Sequence, residues 1–241
     1  MKIFVKKLLN LIGWKLIKIK TRPATVHPYP LPTLEHIKYI MNCSGILHLG
    51  AHRGKEAPVY DWFNKKVLWI EAIPEIFDDL NEFLLNFYNQ KAICALLGDD
   101  NFKKKNFFIS NRDASCSSIF DFSDLVKNKI LWRDEKLEMK KVIKLEMRTL
   151  DKIFEENNIS PLDYNHWIID LQGSELLALK GAEKSLALCK SIFIEISKKQ
   201  YYETGSAKWQ DIKNFLLERN FKLYSEPNSD HVEVLFVNNM N

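Results

Sequence analysis

The chain has 241 residues, 46% of them hydrophobic and 27% charged, which suits one globular α/β domain with a substantial core. The net charge is +4, but residues 1–20 hold six lysines and no acid, so the other 221 residues net to −2. That balance excludes a nucleic-acid-binding surface on the body of the chain. Four scattered cysteines (43, 94, 116 and 189) show no paired spacing, so reduced thiols in a cytoplasmic protein are expected.

Residues 1–20 interleave lysines with apolar residues around Trp14. No apolar run there is long enough to span a membrane, and no small-residue cleavage site follows. Two readings stay open: a helix packed on the domain with its lysines in water, or a basic amphipathic helix on an anionic membrane surface. Residues 21–33 carry four prolines and read as an extended linker. Leu34 to Asn42 is a short helix leading into the domain, 34–241.

Gly45 to Glu71 then reads as strand, glycine loop, helix, strand and acid. Ile46, Leu47 and Leu49 form the first strand, and Gly50, Ala51, His52, Arg53 and Gly54 the loop. A helix carries Val59, Tyr60 and Phe63 toward the sheet. Val67 to Ile70 is the second strand, ending in Glu71. Glycines at 50 and 54 let the backbone turn sharply and approach a ligand, and the helix that follows points N–H groups at the loop. Glu71 lies about 20 residues on, where an acid accepts both ribose hydroxyls. His52 replaces the middle glycine of G-x-G-x-x-G, which disfavours a pyrophosphate and suits an adenosine ligand such as S-adenosylmethionine (SAM). A plain βα turn is the simpler alternative.

An amphipathic helix over about Glu75 to Asn89 follows, with Phe77, Leu80, Phe83, Leu84 and Phe87 at helical spacing. Lys91 to Leu97 reads as a third strand ended by Gly98-Asp99-Asp100. Asn106 to Ile109 is another strand. Ser115, Ser117 and Ser118 are by default helix caps. The charged segment Leu125 to Lys141, with Trp132, looks like an insertion or lid. Val142 to Met147 is a strand, and Thr149 N-caps a helix from Leu150 to Asn157. Trp167 to Ile169 is a buried strand with Asp170 at its carboxyl end, and a helix begins near Ser174. Asp170, Gln172 and Glu175 therefore share an edge with Gly50 and Glu71. Ser191 to Ile196 is a further strand, and Glu195 within it needs a partner or a shifted pKa unless it faces solvent. Trp209 to Arg219 is amphipathic. A hairpin turning at Pro227 to Asp230 closes the chain.

The runs His48-Leu-Gly-Ala-His-Arg-Gly54, Trp69 to Pro74, Ser117-Ser118, Ile169 to Leu176 and Leu179 to Ala182, with Ile194 to Ile196 and Tyr201, resemble the FkbM-type SAM-dependent methyltransferases. The resemblance spans roughly residues 45–237. It implies an α/β fold of the class I SAM-methyltransferase, Rossmann-like kind: a seven-stranded, mostly parallel sheet flanked by helices and ending in an antiparallel hairpin. It also implies SAM as cofactor and methyl transfer to a hydroxyl on a glycan or secondary metabolite.

The cofactor set implied is His48, Gly50, Ala51, His52, Gly54 and Glu56 around the loop, then Glu71 and Ala72. Asp99 is placed at the adenine or, alternatively, in a solvated turn. Ser117, Ser118, Asp170, Gln172 and Glu175 complete the set. Asp170 is the first candidate for base, and His231 the second. Where the family usually has an acid, this chain has His48, which offers no negative charge unless Glu56 substitutes. His52 and Arg53 place positive charge near a sulfonium, which is unfavourable unless they face elsewhere. No metal-ligand spacing is visible, so no metal is expected. Rival readings are a catalytically silent SAM-fold module recruiting partners, and an NAD- or nucleotide-sugar-dependent Rossmann enzyme.

Overall fold

The computed structural model describes residues 34–131, 137–203 and 205–239. The basic segment 1–20, the proline linker 21–33 and Trp132 lie outside them. The main sheet has seven strands in the order β3-β2-β1-β7-β8-β10-β9. They are β1 (Ile46–Leu49), β2 (Val67–Glu71), β3 (Gln90–Cys94), β7 (His166–Ile169), β8 (Ser191–Ser197), β9 (Phe221–Leu223) and β10 (His231–Asn238). β1, β2, β3, β7 and β8 run parallel. β10 lies antiparallel between β8 and β9, which is the expected terminal hairpin.

Alternation along the strands splits the core in two. On one face Leu47, Leu49, Leu68, Ile70, Trp167, Ile169, Ile192 and Ile194 are buried. They pack under α5 (Leu150–Glu156), α6 (Glu175–Lys180), α7 (Glu183–Leu186) and α8 (Trp209–Leu217). On the other face Ile46, Val67, Trp69 and Ile168 meet α1 (Leu34–Asn42), α2 (Ala57–Trp62) and α3 (Pro74–Leu84). With both faces covered, every residue of β1, β2 and β7 is buried, as parallel central strands require. No described helix is long and apolar enough to cross a membrane.

Several sequence expectations shift. The third strand breaks at Ala95, whose N–H donates to the Glu71 carbonyl at 2.8 Å. The chain then leaves the main sheet, and β4 (Leu96–Leu97) joins a small second sheet with β6 (Met139–Arg148) and β5 (Lys104–Ser110). α3 stops at Leu84 rather than Asn89, because the Asn86 side chain caps the Phe83 carbonyl at 2.7 Å. In α2 it is Ala57 and Tyr60 that face the sheet, while Val59 is exposed. The charged segment contributes the four-residue α4 (Asp124–Lys127) and the start of β6. Thr149 caps α5 as expected, accepting from the Lys152 N–H at 3.3 Å.

α1 is locked to the sheet by two buried histidines. His36 Nε2 lies 3.1 Å from His166 Nε2, and the His36 ring stacks on Phe193 at 3.8 Å. Burial, and next the nearby His48, push the His36 pKa down to about 4. His166 moves the same way for the same first reason. An unfolded chain takes up protons near pH 6.5, while the folded His36 refuses them until about pH 4. This pair therefore contributes stability above pH 6.5 that drains as the pH falls toward 4. The raised carboxyls of Glu71 and Asp170 act in the opposite sense, so the diagnostic is a difference between proteins. Urea unfolding of His36→Phe is expected to lose less stability between those pH values than the wild type, by about 1–3 kcal/mol. Equal losses in the two proteins would refute the pair's role.

Candidate active site

The chain runs outward from β1 through β2 to β3, then returns to the far side of β1 as β7, which puts the crevice of the sheet between β1 and β7. Along this carboxyl edge the strand order sets Glu71, Gly50, Asp170, Glu195 and His231 in a row. Strands about 4.8 Å apart make the row roughly 19 Å long, room for a nucleoside and an acceptor side by side.

Gly50 is left-handed at φ +84°, and a Cβ there would sit 1.7 Å from the Asp170 carbonyl oxygen. The N–H groups of Gly50 and Ala51 both donate to the Ile70 carbonyl at 3.0 Å. His52 and Gly54 are also left-handed. Glu71 is buried at the tip of β2, its two oxygens accepting from the N–H groups of His52 and Ile73, each at 2.8 Å. The Ala72 amide faces the same carboxylate. Burial raises the Glu71 pKa, and these amides oppose the rise. The carboxylate is thus fixed in direction by the loop, with lone pairs left over for a ligand.

The positive charges of the loop are turned away from the crevice. Arg53 pairs with Asp79 and with Asp113, both at 2.9 Å, and His52 Nε2 lies 2.7 Å from the Asp113 carbonyl. His48 is buried, stacked on Trp69 at 4.6 Å, with Nδ1 3.2 Å from the Tyr60 hydroxyl. Burial lowers its pKa, and the carboxylate of Glu56, at the start of α2, pulls the other way. His48 is therefore a neutral ring, and the nearby negative charge is on Glu56.

The second cluster is built on the turn after β7. Gln172 is left-handed at φ 52° and Gly173 at φ 98°. The Gln172 side-chain amide donates to Asp170 Oδ1 at 2.5 Å and to Glu195 Oε2 at 3.0 Å. Its side-chain oxygen accepts from the Tyr202 hydroxyl at 2.6 Å. Glu195 also lies 3.2 Å from His231 Nε2, so this acid has the partners its apolar strand demands. Burial, then the Glu195 charge, hold the half-buried Asp170 carboxyl well above the usual carboxylate range. Glu175 Oε1 accepts from the N–H groups of Leu171 and Gly173, so it holds the turn together, and burial pushes its pKa up to about 7.

Ser115, Ser117 and Ser118 cap no helix; they sit in a strap, residues 110–118, that bridges the two clusters. Ser118 Oγ donates to the Gln172 carbonyl at 2.7 Å, and Ser117 Oγ accepts from the Ser110 N–H at 3.1 Å. At its other end the strap's Asp113 takes Arg53. Sequence reasoning passed over Asp113, Tyr202 and the reach of Glu195; an acid flanked by the small residues of Arg112 to Ser118 was the available signal for Asp113. Asp99 is exposed in the turn after β4, a strand that has joined the small sheet.

Beside the Gln172 cluster opens a cleft of about 570 Å³, whose wall includes Gln172, Glu195, Ser197, Tyr201, Trp209 and His231. Its size falls within the range of small-molecule sites. Among the described residues no group of three or more His, Cys, Asp or Glu is arranged to hold a metal ion. Replacing Gly50 by alanine should lower stability by at least about 1–3 kcal/mol in urea unfolding, through the forced left-handed φ and the clash with Asp170. A variant as stable as wild type would show that β1 and β7 do not need this contact.

No curated protein matches the chain. Among solved structures, magnesium protoporphyrin IX methyltransferase from Synechocystis PCC 6803 with bound SAM is 9% identical, with a TM-score of 0.44 over 85% of this chain and 76% of that one. A TehB-like SAM-dependent methyltransferase from Corynebacterium glutamicum is 11% identical, with a TM-score of 0.44 over 98% and 96%. A SAM-dependent methyltransferase from Aquifex aeolicus is 10% identical, with a TM-score of 0.44 over 84% and 88%. The family model described as the methyltransferase FkbM domain matches residues 48–223, from the third residue of β1 to the end of β9. The chain belongs to the FkbM methyltransferase family.

Proposed function

We propose that this protein transfers the methyl group of SAM to a hydroxyl of a small-molecule or glycan acceptor. The observation that carries the reading is the single row of groups on the carboxyl edge, with the glycine loop and Glu71 at one end and an acceptor-sized cleft at Gln172 and Glu195 at the other. The residues present fit the cofactor: the Gly50–Gly54 loop turns sharply through left-handed residues at the carboxyl edge, and Glu71 is fixed with lone pairs to spare for ribose hydroxyls. When bound, SAM supplies an electrophilic methyl on a sulfonium, transferred in line to a nucleophilic oxygen.

The chain's own work is alignment and proton removal. The Gly50–Gly54 loop and Glu71 hold the nucleoside. Glu56 supplies the negative charge that His48 lacks. Asp170, clamped by Gln172, orients the acceptor hydroxyl and takes its proton. Trp209 and Tyr201 offer aromatic faces in the cleft, as a sugar ring requires. The glycine loop lacks the middle glycine that a pyrophosphate needs, which speaks against the NAD reading. Placement on the inner face of a membrane through residues 1–20 belongs to the same proposal. Deletion of those residues should abolish co-sedimentation with anionic liposomes, and unchanged pelleting would reject the contact.

Calorimetric titration should show binding of SAM and S-adenosylhomocysteine but not NAD. Glu71→Ala should weaken both adenosyl ligands by about 10-fold or more, as loss of hydrogen bonds to a charged group implies. With a panel of p-nitrophenyl glycosides as acceptor probes, Asp170→Asn should keep SAM affinity and lose roughly 100-fold in turnover. Binding of NAD alone, or full turnover by Asp170→Asn, would overturn the corresponding assignment.

A further inference from the structure

Three features of the cleft are not used by the mechanism above. Glu195 reaches the cleft wall between two partners, Gln172 Nε2 at 3.0 Å and His231 Nε2 at 3.2 Å. Its charge also acts on the Asp170 carboxyl. His231 begins β10 directly opposite Ser197 of β8, and its Nδ1 lies 2.7 Å from Ser197 Oγ. Its side chain is 38% exposed, against 21% for Glu195, so the chain of groups runs from a half-buried carboxyl to open water.

We propose that Glu195 and His231 carry the acceptor's proton from Asp170 to solvent, the three side chains acting as one proton path. The proposal rests on the hydroxyl-methylation reading for the origin of the proton. Asp170 and Glu195 are bridged by one amide, and in this path the pair holds a single proton at rest. A neutral His231 with its proton on Nδ1 donates to Ser197 Oγ and turns the Nε2 lone pair to Glu195. When the acceptor oxygen gains a methyl it gives up one proton to Asp170. Glu195 passes one proton to His231 Nε2, and the imidazolium loses one to water. One proton enters, one leaves, and the carboxyl pair returns to its shared state.

Gln172 makes this arrangement possible. Its two donor hydrogens hold the carboxyls together, while Tyr202 keeps the amide from flipping. Gln172 and Glu195 are positioning and relay residues; neither is required to touch the reacting atoms.

The groups facing His231 from the packed elements are Glu195 on β8, Glu175 on α6, the Tyr201 ring at 5.4 Å, and Glu233 on its own strand. Neighbouring Asp230 pairs with Lys199 at 2.6 Å. Hydrogen bonding to Glu195 raises the His231 pKa from 6.5, so the path fails as the pH falls and His231 fills with its own proton.

The test is an NMR titration of the histidine rings in the full-length protein, which needs no acceptor. His231 should titrate above 6.5 in wild type and fall back in Glu195→Gln. Asp170→Asn removes the shared proton, leaves Glu195 fully charged and should raise the His231 midpoint further, although Asp170 and His231 are two strands apart. Glu195→Asp serves if Glu195→Gln does not fold, and should restore part of the shift. A His231 midpoint indifferent to Asp170→Asn overturns the path whatever the acceptor is. With a glycoside acceptor, His231→Gln should lower kcat about 10-fold or more and remove the acid limb of the pH profile, with KM for SAM unchanged. An unaltered kcat and profile in that variant would remove His231 from the path. Coupled titration without methylation of any hydroxyl would instead sink the hydroxyl reading and leave the linked groups standing.

Discussion

The site depends on how Gln172 is held. Its backbone is left-handed, a conformation that a residue with a side chain keeps only when its surroundings enforce it. Four groups enforce it here. Ser118 bonds its carbonyl, Tyr202 its side-chain oxygen, and Asp170 and Glu195 its amide hydrogens. Those partners come from the strap, from the segment after β8, from the end of β7 and from β8. One residue thereby sets the spacing of β7 and β8 at the edge and keeps two acids within a hydrogen bond of one amide. Glu175 supports the same turn from inside, binding the N–H groups on either side of Gln172.

Charge is distributed by the same logic. Arg53 and His52 sit on the ligand loop, where positive charge would oppose a sulfonium. The strap answers with Asp113, which takes the guanidinium by its carboxylate and the imidazole by its carbonyl, while Asp79 of α3 takes the other side of Arg53. What remains toward the crevice is acidic: Glu71, Asp170, Glu195, with Glu56 behind. Burial raises the pKa of Glu71, Asp170 and Glu175 within this crowd, and at Asp170 and Glu175 the Glu195 charge raises it further. A cationic ligand entering such a crowd relieves the repulsion, whereas its neutral product does not.

Much of this was legible in the residues. Ile46 to Glu71 announced a strand, a turn and an acid because glycines and an apolar run mark those features locally. Asp170 could be placed on the same edge because a parallel sheet puts all βα turns on one side. Long-range contacts were not legible. Leu96 and Leu97 look like more of β3, and only their pairing with Met147 and Arg148 shows that the chain has changed sheets. The serines of the strap read as caps because their partners, Gln172 and Ser110, are named by folding alone. Glu195 and His231 are 36 positions apart in sequence and become neighbours through the antiparallel register of β8 and β10. A strand-end acid and a hairpin histidine therefore gave no joint signal.

The histidine at position 48 follows from its surroundings. Its side chain points to the face where Trp69 and Tyr60 pack, with ring stacking on one side and a hydroxyl on the other. A carboxylate placed there would meet an indole face and a single hydroxyl, and Glu56 would add repulsion. A neutral imidazole suits that site, since it is flat enough to stack and able to bond Tyr60 through one nitrogen. The negative charge near the ring is that of Glu56 at the start of α2, where solvent reaches it and burial costs less.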